Sequence, residues 1–547
     1  MTKRESELSR LKHSEENSSL NIWFKEIFKP QYRMRTLHNR GAILVLIWSF
    51  LVANIFYFTR YTATTKYSSL VYYIALSVGS LTMPLAGWLA DIHYGRYKML
   101  QWSMWIMWIS SLLLAGSLVI LQVFESQNNT YLKLPMIFLI PLGIGYGGFQ
   151  ANIIQFGVDQ LLDASSNEVK AFIAWYSWTY ISSQVTASLT LYYVSSVQYK
   201  VISLALLVCT NLSIAMSINL IFRSVLIREP SAQNPFKMVY KVIAYALKNK
   251  QPRLRSAFTY WEDSIPSRID LGKMKYGGPF TTEQVEDVKT LFRVLFIVLV
   301  VAALFGTTDE QYESTKVYFQ NMFRFDDSHL SSYVFYNFYF IAGTILIPLN
   351  EILIYPLFNR CLPTFNSYWK CLIGVLLYFM RYLILITVLT YTRQDLIMNS
   401  SNDSVTIPCI FYGQSGPLNH THNSRWIFLL EFLSITSVLF FYVGSIQFYC
   451  AQIPYTMKGL VIGIFYVLSG LFILFSQALL LPFNAQSLAW GTGTLSCGFW
   501  YLITRMAYMV IMIIAAALVM RCYKTRKRED ILPNEQIFAE AYYSRAT

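Results

Sequence analysis

Charged residues are scarce in this sequence. Only 14% of its 547 residues are charged and 55% are hydrophobic, whereas soluble domains carry about 25% charged residues. This composition argues against a water-soluble globular protein. The net charge of +14 does not indicate nucleic-acid binding either, because the basic residues fall in short segments between apolar runs. That distribution follows the positive-inside rule of membrane proteins.

Motifs for metal binding and catalysis are also missing. None of the seven cysteines forms a C-x-x-C pair, so neither a zinc site nor a redox motif is predicted. We find no nucleophile–base pair or phosphate-binding loop, and we expect neither an enzyme nor a cofactor. The first forty or so residues are polar and lack the apolar core of a signal peptide. The first apolar run is therefore expected to act as an uncleaved insertion signal.

Long apolar runs are what the sequence has instead. Each is close to the roughly 20 residues that cross a bilayer as a helix. We predict an all-α membrane protein with twelve transmembrane helices in two six-helix bundles. The predicted spans are 41–59, 68–90, 99–124, 134–158, 171–195, 201–222, 291–308, 330–354, 365–391, 426–449, 459–482 and 494–520.

The runs divide the chain into five parts. We predict a cytosolic N-terminal segment, a first bundle, a cytosolic linker with an amphipathic helix, a second bundle and a cytosolic basic tail. These parts cover residues 1–40, 41–222, 223–290, 291–520 and 521–547. Glycosylation sequons fall in loops that this topology places outside. The candidate asparagines are Asn128, Asn399, Asn402 and Asn419.

The linker carries two helix signals. Residues 234–249 place apolar side chains on one helical face and lysines elsewhere, which is typical of a helix lying on the inner leaflet or against a bundle. A plain spacer helix is the alternative. Further on, Thr281 and Gln284 fit a capping box that begins a helix running into the seventh span. The apolar face is Phe236, Val239, Tyr240, Ile243 and Leu247, and the lysines are Lys237, Lys241 and Lys248.

A short basic segment separates spans two and three. It resembles the loop between the second and third helices of major facilitator transporters, approximately G-x-x-x-D-x-x-G-R-x-K/R, with one extra residue before its second glycine. The resemblance implies a gating loop at the cytosolic face that helps to hold the outward-open state. An ordinary basic turn is the alternative. The matching residues are Gly87, Asp91, Gly95, Arg96 and Lys98.

Charges inside the spans are costly in a membrane and are functional candidates. They occur in the second half of the chain and are Glu310, Glu351, Arg381, Glu431 and Arg505. Structural ion pairs are the alternative for the arginines. For Glu310 and Glu351 the alternative is an interfacial side chain that reaches water. Lys370 sits at an inner helix end, and we expect it to extend to water.

Polar and aromatic residues of the spans are candidates for a central substrate cavity. Buried amides need hydrogen-bond partners, which a polar cavity supplies. Aromatic residues at helical spacing are more often packing residues. The candidates are Asn54, Tyr57, Tyr61, Gln150, Asn152, Gln155, Trp175, Tyr176, Trp178, Gln184 and Gln447.

Three segments narrow the resemblance to one family. Residues 145–160 resemble the fourth-helix signature of proton-coupled oligopeptide transporters, approximately G-x-G-G-I-K-P followed by F-G-x-D-Q-F. Residues 447–458 resemble the tenth-helix pattern E-F-x-Y-S-Q-A-P-x-x-M-K, and residues 310–315 resemble D-Q-Q-G-S-T. The resemblance implies the major facilitator fold, alternating access and a short-peptide substrate.

The departures from that family concern its ionisable residues. The first span lacks the family's E-x-x-E-R charges, and amides stand at Gln150 and Gln447 in place of its lysine and glutamate. An amide takes up no proton near neutral pH. We therefore expect a transporter of small polar organic solutes, including short peptides, in which any proton coupling falls to Glu310 or Glu431.

A pseudo-transporter acting as a membrane scaffold or receptor is the alternative, with the linker recruiting a cytosolic protein. The expected partners are a small-molecule or short-peptide substrate, protons as a candidate coupling ion and the lipid bilayer, without nucleic acid. The plasma membrane and the endolysosomal membrane both fit the sequence.

Overall fold

Helices account for nearly all of the structure. The computed structural model describes residues 39–62, 66–123, 135–161, 166–194, 200–228, 235–249, 267–308, 329–354, 367–399, 425–454, 457–478 and 499–523. Within these ranges there is no β-strand, only an isolated bridge between Lys273 and Phe280. The chain is an all-α protein, as the apolar runs predict.

A helix corresponds to each predicted span. In the first bundle these are α1 Arg40–Thr62, α2 Lys66–Leu89, α3 Arg96–Val123, α4 Leu139–Asp159, α5 Ser166–Val194 and α6 Lys200–Ile221. The linker holds α7 Pro235–Lys248. The second bundle contains α8 Thr282–Thr308, α9 His329–Leu349, α10 Ser367–Asn399, α11 Arg425–Val438, α12 Gly444–Gln452, α13 Lys458–Ala478 and α14 Phe499–Cys522. A π-helical turn, Leu439–Val443, joins α11 and α12 into the tenth span.

Length and hydropathy identify these helices as membrane-spanning. Seven helical segments among the described residues are long and apolar enough to cross a bilayer, and three shorter apolar helices accompany them. Apolar side chains on their outer surfaces stay exposed, as Leu81 and Leu85 do on α2. This is an integral, multi-pass membrane protein.

The two bundles pack directly on each other through glycines. A Cβ atom at Gly87 of α2 would lie 2.4 Å from the carbonyl oxygen of Gly459 in α13, and one at Gly463 would lie 2.7 Å from Pro84. Small residues let helix backbones approach this closely in membranes. Elsewhere, Trp178 of α5 donates from Nε1 to the carbonyl oxygen of Thr344 in α9 at 3.0 Å. Both contacts cross between the bundles.

The extra residue in the segment between α2 and α3 is absorbed by a π-helical turn. Ala90–Tyr94 forms this turn, and the amide of Gly95 donates to the carbonyl oxygen of Ala90 at 3.0 Å. A π-helical turn accommodates one residue more than an α-helical turn. Gly95 then adopts φ 80°, a conformation that favours glycine. The chain thus passes from α2 to α3 without an open loop.

Only part of the predicted apolar face of the linker helix α7 packs on the protein. Val239, Val242 and Ala246 are buried, whereas Tyr240 and Leu247 are 74% and 71% exposed. Its Tyr245 ring makes an edge contact with Phe280, at 6.0 Å between centroids. Of the predicted apolar face, Val239 therefore packs on the protein, whereas Tyr240 and Leu247 stay exposed.

The linker segment before α8 is held by a capping box and an ion cluster. Thr281 Oγ1 accepts from the amide of Gln284, and Gln284 Oε1 accepts from the amide of Thr281, each at 3.2 Å. The predicted capping box is thus present, and α8 begins one residue later. Lys273 Nζ lies 2.7 Å from Asp270 Oδ1 and also bonds Glu286. Lys289 Nζ bonds Asp270 as well.

Burial raises the pKa of Asp270, but hydrogen bonds from Lys273, Lys289 and Ser267 outweigh it and hold the pKa well below its usual range. The pKa of Glu286 is also lowered, because its bond from Lys273 outweighs burial. A carboxylate with a lowered folded-state pKa stabilises the fold above its unfolded pKa, and this contribution is lost as the pH falls through the folded value. The cluster is therefore fully effective at neutral pH.

We expect Asp270→Asn to loosen the linker segment before α8. The amide hydrogens of Met274 and Phe280, which are bonded within it, should lose about tenfold in exchange protection at neutral pH. In the unaltered chain, protection should stay constant down to about pH 5 and fall below it. The exposed Glu283→Gln change is the control. Equal protection in both variants would contradict the role of the cluster.

One expectation about a helix end is wrong. Lys370 does not extend to water: it is 7% exposed, and its Nζ donates to Gln447 Oε1 at 3.3 Å. Asn399 is the last residue of α10, and its glycosylation stays a prediction. The other glycosylation candidates, Asn128, Asn402 and Asn419, lie outside the described residues, as does Glu310.

Candidate functional site

A hydrogen-bonded network of neutral side chains joins the two bundles. Gln150 of α4 donates from Nε2 to the hydroxyl of Tyr176 in α5 at 2.8 Å, and to that of Tyr466 in α13 at 3.4 Å. The hydroxyls of Tyr466 and Tyr442 lie 2.7 Å apart. Two elements of each bundle thus contribute one polar group apiece. We call these four residues the central network.

The central network borders open space. Gln150, Tyr442 and Tyr466 are only half-buried, although they lie between the bundles. Tyr146, one helical turn before Gln150, lines a small cavity of about 40 Å³ between α1, α2 and α4, whose lining is mostly apolar. A solute reaching the network meets hydroxyl and amide groups with no formal charge among them. Such groups bind neutral or zwitterionic polar molecules through hydrogen bonds.

Several other cavity candidates serve packing within the first bundle. Asn54 of α1 accepts from Thr186 of α5 at 3.1 Å, and its amide donates back to its own helix. Asn152 also donates to its own helix, at Gly148. Gln184 is buried and donates to the adjacent Ser183 at 3.4 Å. Trp175 is half-buried with no hydrogen-bond partner for its Nε1. Side chains of Tyr57 and Tyr61 lie outside the described part of α1.

Two candidate amides form bonds between the bundles instead. Gln155 of α4 is fully buried, and its Nε2 donates to Cys450 Sγ in α12 at 3.2 Å. Gln447 of α12 donates to the carbonyl oxygen of Lys170 in α5 at 2.8 Å and accepts from Lys370. These bonds lie toward the end of the molecule that carries α7, which we call the linker side. They hold the bundles together there without a salt bridge between α4 and α12 among the described residues.

Asp91 provides a charged connection on the linker side. Its Oδ2 accepts from the amides of Gly459 and Leu460 at 3.0 and 3.2 Å. Its Oδ1 accepts from Nε and Nη2 of Arg96, both at 3.2 Å. Arg96 Nη1 also donates to both carboxylate oxygens of Asp159, each at 2.7 Å. We call this arrangement the latch.

The latch depends on Asp91 lying beside the first turn of α13. The first amides of a helix have no partner within it, and they carry the positive end of the helix dipole. A carboxylate of the first bundle thus caps a helix of the second. Arg96 balances both carboxylates, and all three side chains are buried. Gly87 allows the close approach of α2 and α13, Gly95 allows the turn, and Lys98 is exposed.

The intramembrane charges are gathered in the second bundle. Glu351, Arg381, Glu431 and Arg505 are between 3% and 6% exposed. Asn350 Nδ2 donates to Glu351 Oε1 at 3.2 Å, and the Arg381 guanidinium lies 5.4 Å from the centre of the Tyr378 ring. Glu351 therefore does not reach water, which removes the interfacial alternative for it.

Three residues of this site were not among the sequence-based candidates. Asp159 belongs to the fourth-helix motif, but its partner Arg96 lies 63 positions away. Only the packing of α3 on α4 brings them together. Tyr442 and Tyr466 are two of 39 tyrosines, and no local pattern distinguishes them. Only the packing of α13 beside α4 shows that their hydroxyls belong to the central network.

Comparison with known proteins agrees with this architecture. Mouse (Mus musculus) solute carrier family 15 member 3 is 22% identical over 445 residues, covering 72% of this chain and 73% of that protein. The crystal structure of an auto-inhibited POT family peptide transporter matches with a TM-score of 0.61 and 17% identity, covering 90% of this chain and 99% of the other. The proton:xylose symporter XylE matches with a TM-score of 0.55 and 12% identity, covering 92% and 100%.

Twelve helical spans in two bundles, meeting at a polar network, define a protein with the major facilitator fold. Residues 103–492 match the POT family. The chain belongs to that family, whose matched members are transporters, and the resemblance drawn from its fourth- and tenth-helix motifs is confirmed.

Proposed function

We propose that this protein is a secondary transporter that moves a small, uncharged or zwitterionic polar solute by alternating access. A short peptide is the first substrate to test, since the matched POT structure is that of a peptide transporter. The observation that carries the proposal is the central network. It draws one polar group from each of four elements, two per bundle, which suits a solute held between rocking bundles.

The bonds between the bundles support a closed gate on the linker side. The latch, the Gln155–Cys450 bond and the Gln447–Lys170 bond all cross the interface there. Basic residues favour the cytosolic side of a membrane, and α7 with its lysines lies at this end. We therefore assign the linker side to the cytosol and the described conformation to the state closed on that side.

Uptake tests the role of the central network. We expect Gln150→Leu to raise the KM for a labelled neutral dipeptide in proteoliposomes about tenfold, because the Tyr176 and Tyr466 hydroxyls lose their amide partner. Gln184→Leu removes a buried amide from the same bundle but outside the network, and it should change the KM by less than about twofold. Equal effects of the two changes would contradict the assignment.

The same assay separates transport from the scaffold alternative. A broad panel of unlabelled solutes competing with the dipeptide defines the substrate class. Absence of uptake for every solute, together with tight capture of a cytosolic protein by the linker, would favour the scaffold.

Repeating the assay at acidic and neutral pH with Glu431→Gln and Glu310→Gln combined tests proton coupling. Acid-stimulated uptake that survives both changes would exclude these two glutamates as proton carriers.

A further inference from the structure

The outer face of α7 carries an apolar stripe that the protein does not cover. Phe236, Tyr240 and Leu247 are 39%, 74% and 71% exposed, and at 100° per residue they fall on one side of the helix with the half-buried Ile243. The neighbouring face, about 100° around the helix axis, already packs on the protein through Val239, Val242 and Ala246. Core packing therefore does not account for the exposed stripe.

This stripe continues the surface that α2 turns toward lipid. Leu81 and Leu85 are each 59% exposed and lie on the same face of α2 as Trp88, at i, i+4 and i+7. The Trp88 ring contacts the Phe236 ring at 6.4 Å between centroids. The first turn of α7 thus lies where the lipid-facing side of α2 ends, and an apolar surface passes from one helix to the other.

Lysines flank the stripe along the length of α7. Lys237, Lys241 and Lys248 are all exposed and occupy the sector next to Tyr240. An exposed apolar stripe beside a basic one is the arrangement of helices that lie in a membrane interface. Each lysine near an anionic leaflet contributes about fivefold to the affinity for it.

We propose that α7 is a lipid-binding element that inserts Phe236, Tyr240, Ile243 and Leu247 into the interfacial layer of the cytosolic leaflet and binds anionic headgroups through its lysines. The assignment of the leaflet rests on the proposed orientation of the protein. Because α7 also contacts Phe280 beside the start of α8, the bound lipid holds the linker against both bundles.

Photocrosslinking of the full-length protein tests this proposal. A benzoyl-phenylalanine placed at Tyr240 should form adducts with radiolabelled phospholipid in nanodiscs containing about 30% phosphatidylserine. The same probe at Met274, which is 60% exposed on the linker outside α7, should form none. Lys241→Ala with Lys248→Ala should lower the adduct yield from Tyr240 about twentyfold, and the corresponding arginine changes should preserve it.

Three results would overturn the proposal: no lipid adduct from Tyr240, a protein adduct in place of lipid, or a yield that neither phosphatidylserine nor the lysines affect. The readout requires no transport. Loss of uptake with intact adducts would count against the proposed function alone, and loss of adducts with normal uptake against the lipid site alone.

Discussion

Gly87→Leu should reduce uptake tenfold or more, because the gate on the linker side will no longer close. A Cβ atom at this position would lie 2.4 Å from the carbonyl oxygen of Gly459 and 2.9 Å from the amide nitrogen of Leu460. These are backbone atoms, so no side-chain rotation relieves the overlap. Overpacking costs about 1–3 kcal/mol, which corresponds to roughly a 5- to 150-fold shift away from the closed state. Leucine is also a better helix former than glycine, so α2 itself should not be weakened.

Gly116→Leu is the matched control for this change. Gly116 lies in α3, and a Cβ atom there would meet nothing within 4 Å. Its uptake should stay near that of the unaltered protein, and the amount of folded protein in detergent should be equal for both variants. Normal uptake by Gly87→Leu would show that the close approach of α2 and α13 plays no part in the cycle.

Asp91→Asn should weaken the latch without unfolding the first bundle. The two carboxylate oxygens accept from α13 on one side and from Arg96 on the other. An amide has one acceptor oxygen, so its NH₂ group would face either a backbone amide or the guanidinium, both of which are donors. Arg96 keeps both of its bonds to Asp159 in this variant, so its buried charge stays paired. We expect an approximately tenfold loss of uptake with little change in melting temperature, since the bonds to α13 exist only in the closed state.

Asp159→Asn should give the opposite pattern. Asp159 accepts both of its short bonds from Arg96, and these join α3 to α4 within one bundle. Their loss should lower the melting temperature more than Asp91→Asn does. A common effect of the two changes on both uptake and melting temperature would contradict the division between a latch residue and a bundle-stabilising residue.

The fold could be predicted from the sequence because it depends on hydropathy averaged over runs of about 20 residues. Twelve apolar runs predicted twelve helices, and the capping box of Thr281 and Gln284 predicted the start of α8 to within one residue. The motif between α2 and α3 identified Asp91 and Arg96, and its extra residue is explained by a π-helical turn. Each of these signals is local along the chain.

The site was less predictable, because its contacts join residues that are distant in sequence. Gln155 meets Cys450 across 295 positions, and Gln150 meets Tyr466 across 316. Lys370 was expected to reach water, but Gln447 offers it a buried acceptor 77 positions away. A hydropathy profile gives no information about such partners. Which face α7 buries was left open for the same reason, since it depends on the shape of the surface that receives it.

Two native cysteines allow the moving gate to be measured most directly. Cys450 is buried at the contact between the bundles, beside Gln155, and Cys371 is equally buried inside the second bundle, 3.6 Å from Ser445. If the bundles separate on the linker side, a small maleimide should modify Cys450 about tenfold faster in Asp91→Asn and Gly87→Leu than in the unaltered protein, while modification of Cys371 stays unchanged. Identical rates for Cys450 in all three proteins, or rates for Cys371 that rise in parallel, would contradict a gate that opens between rigid bundles.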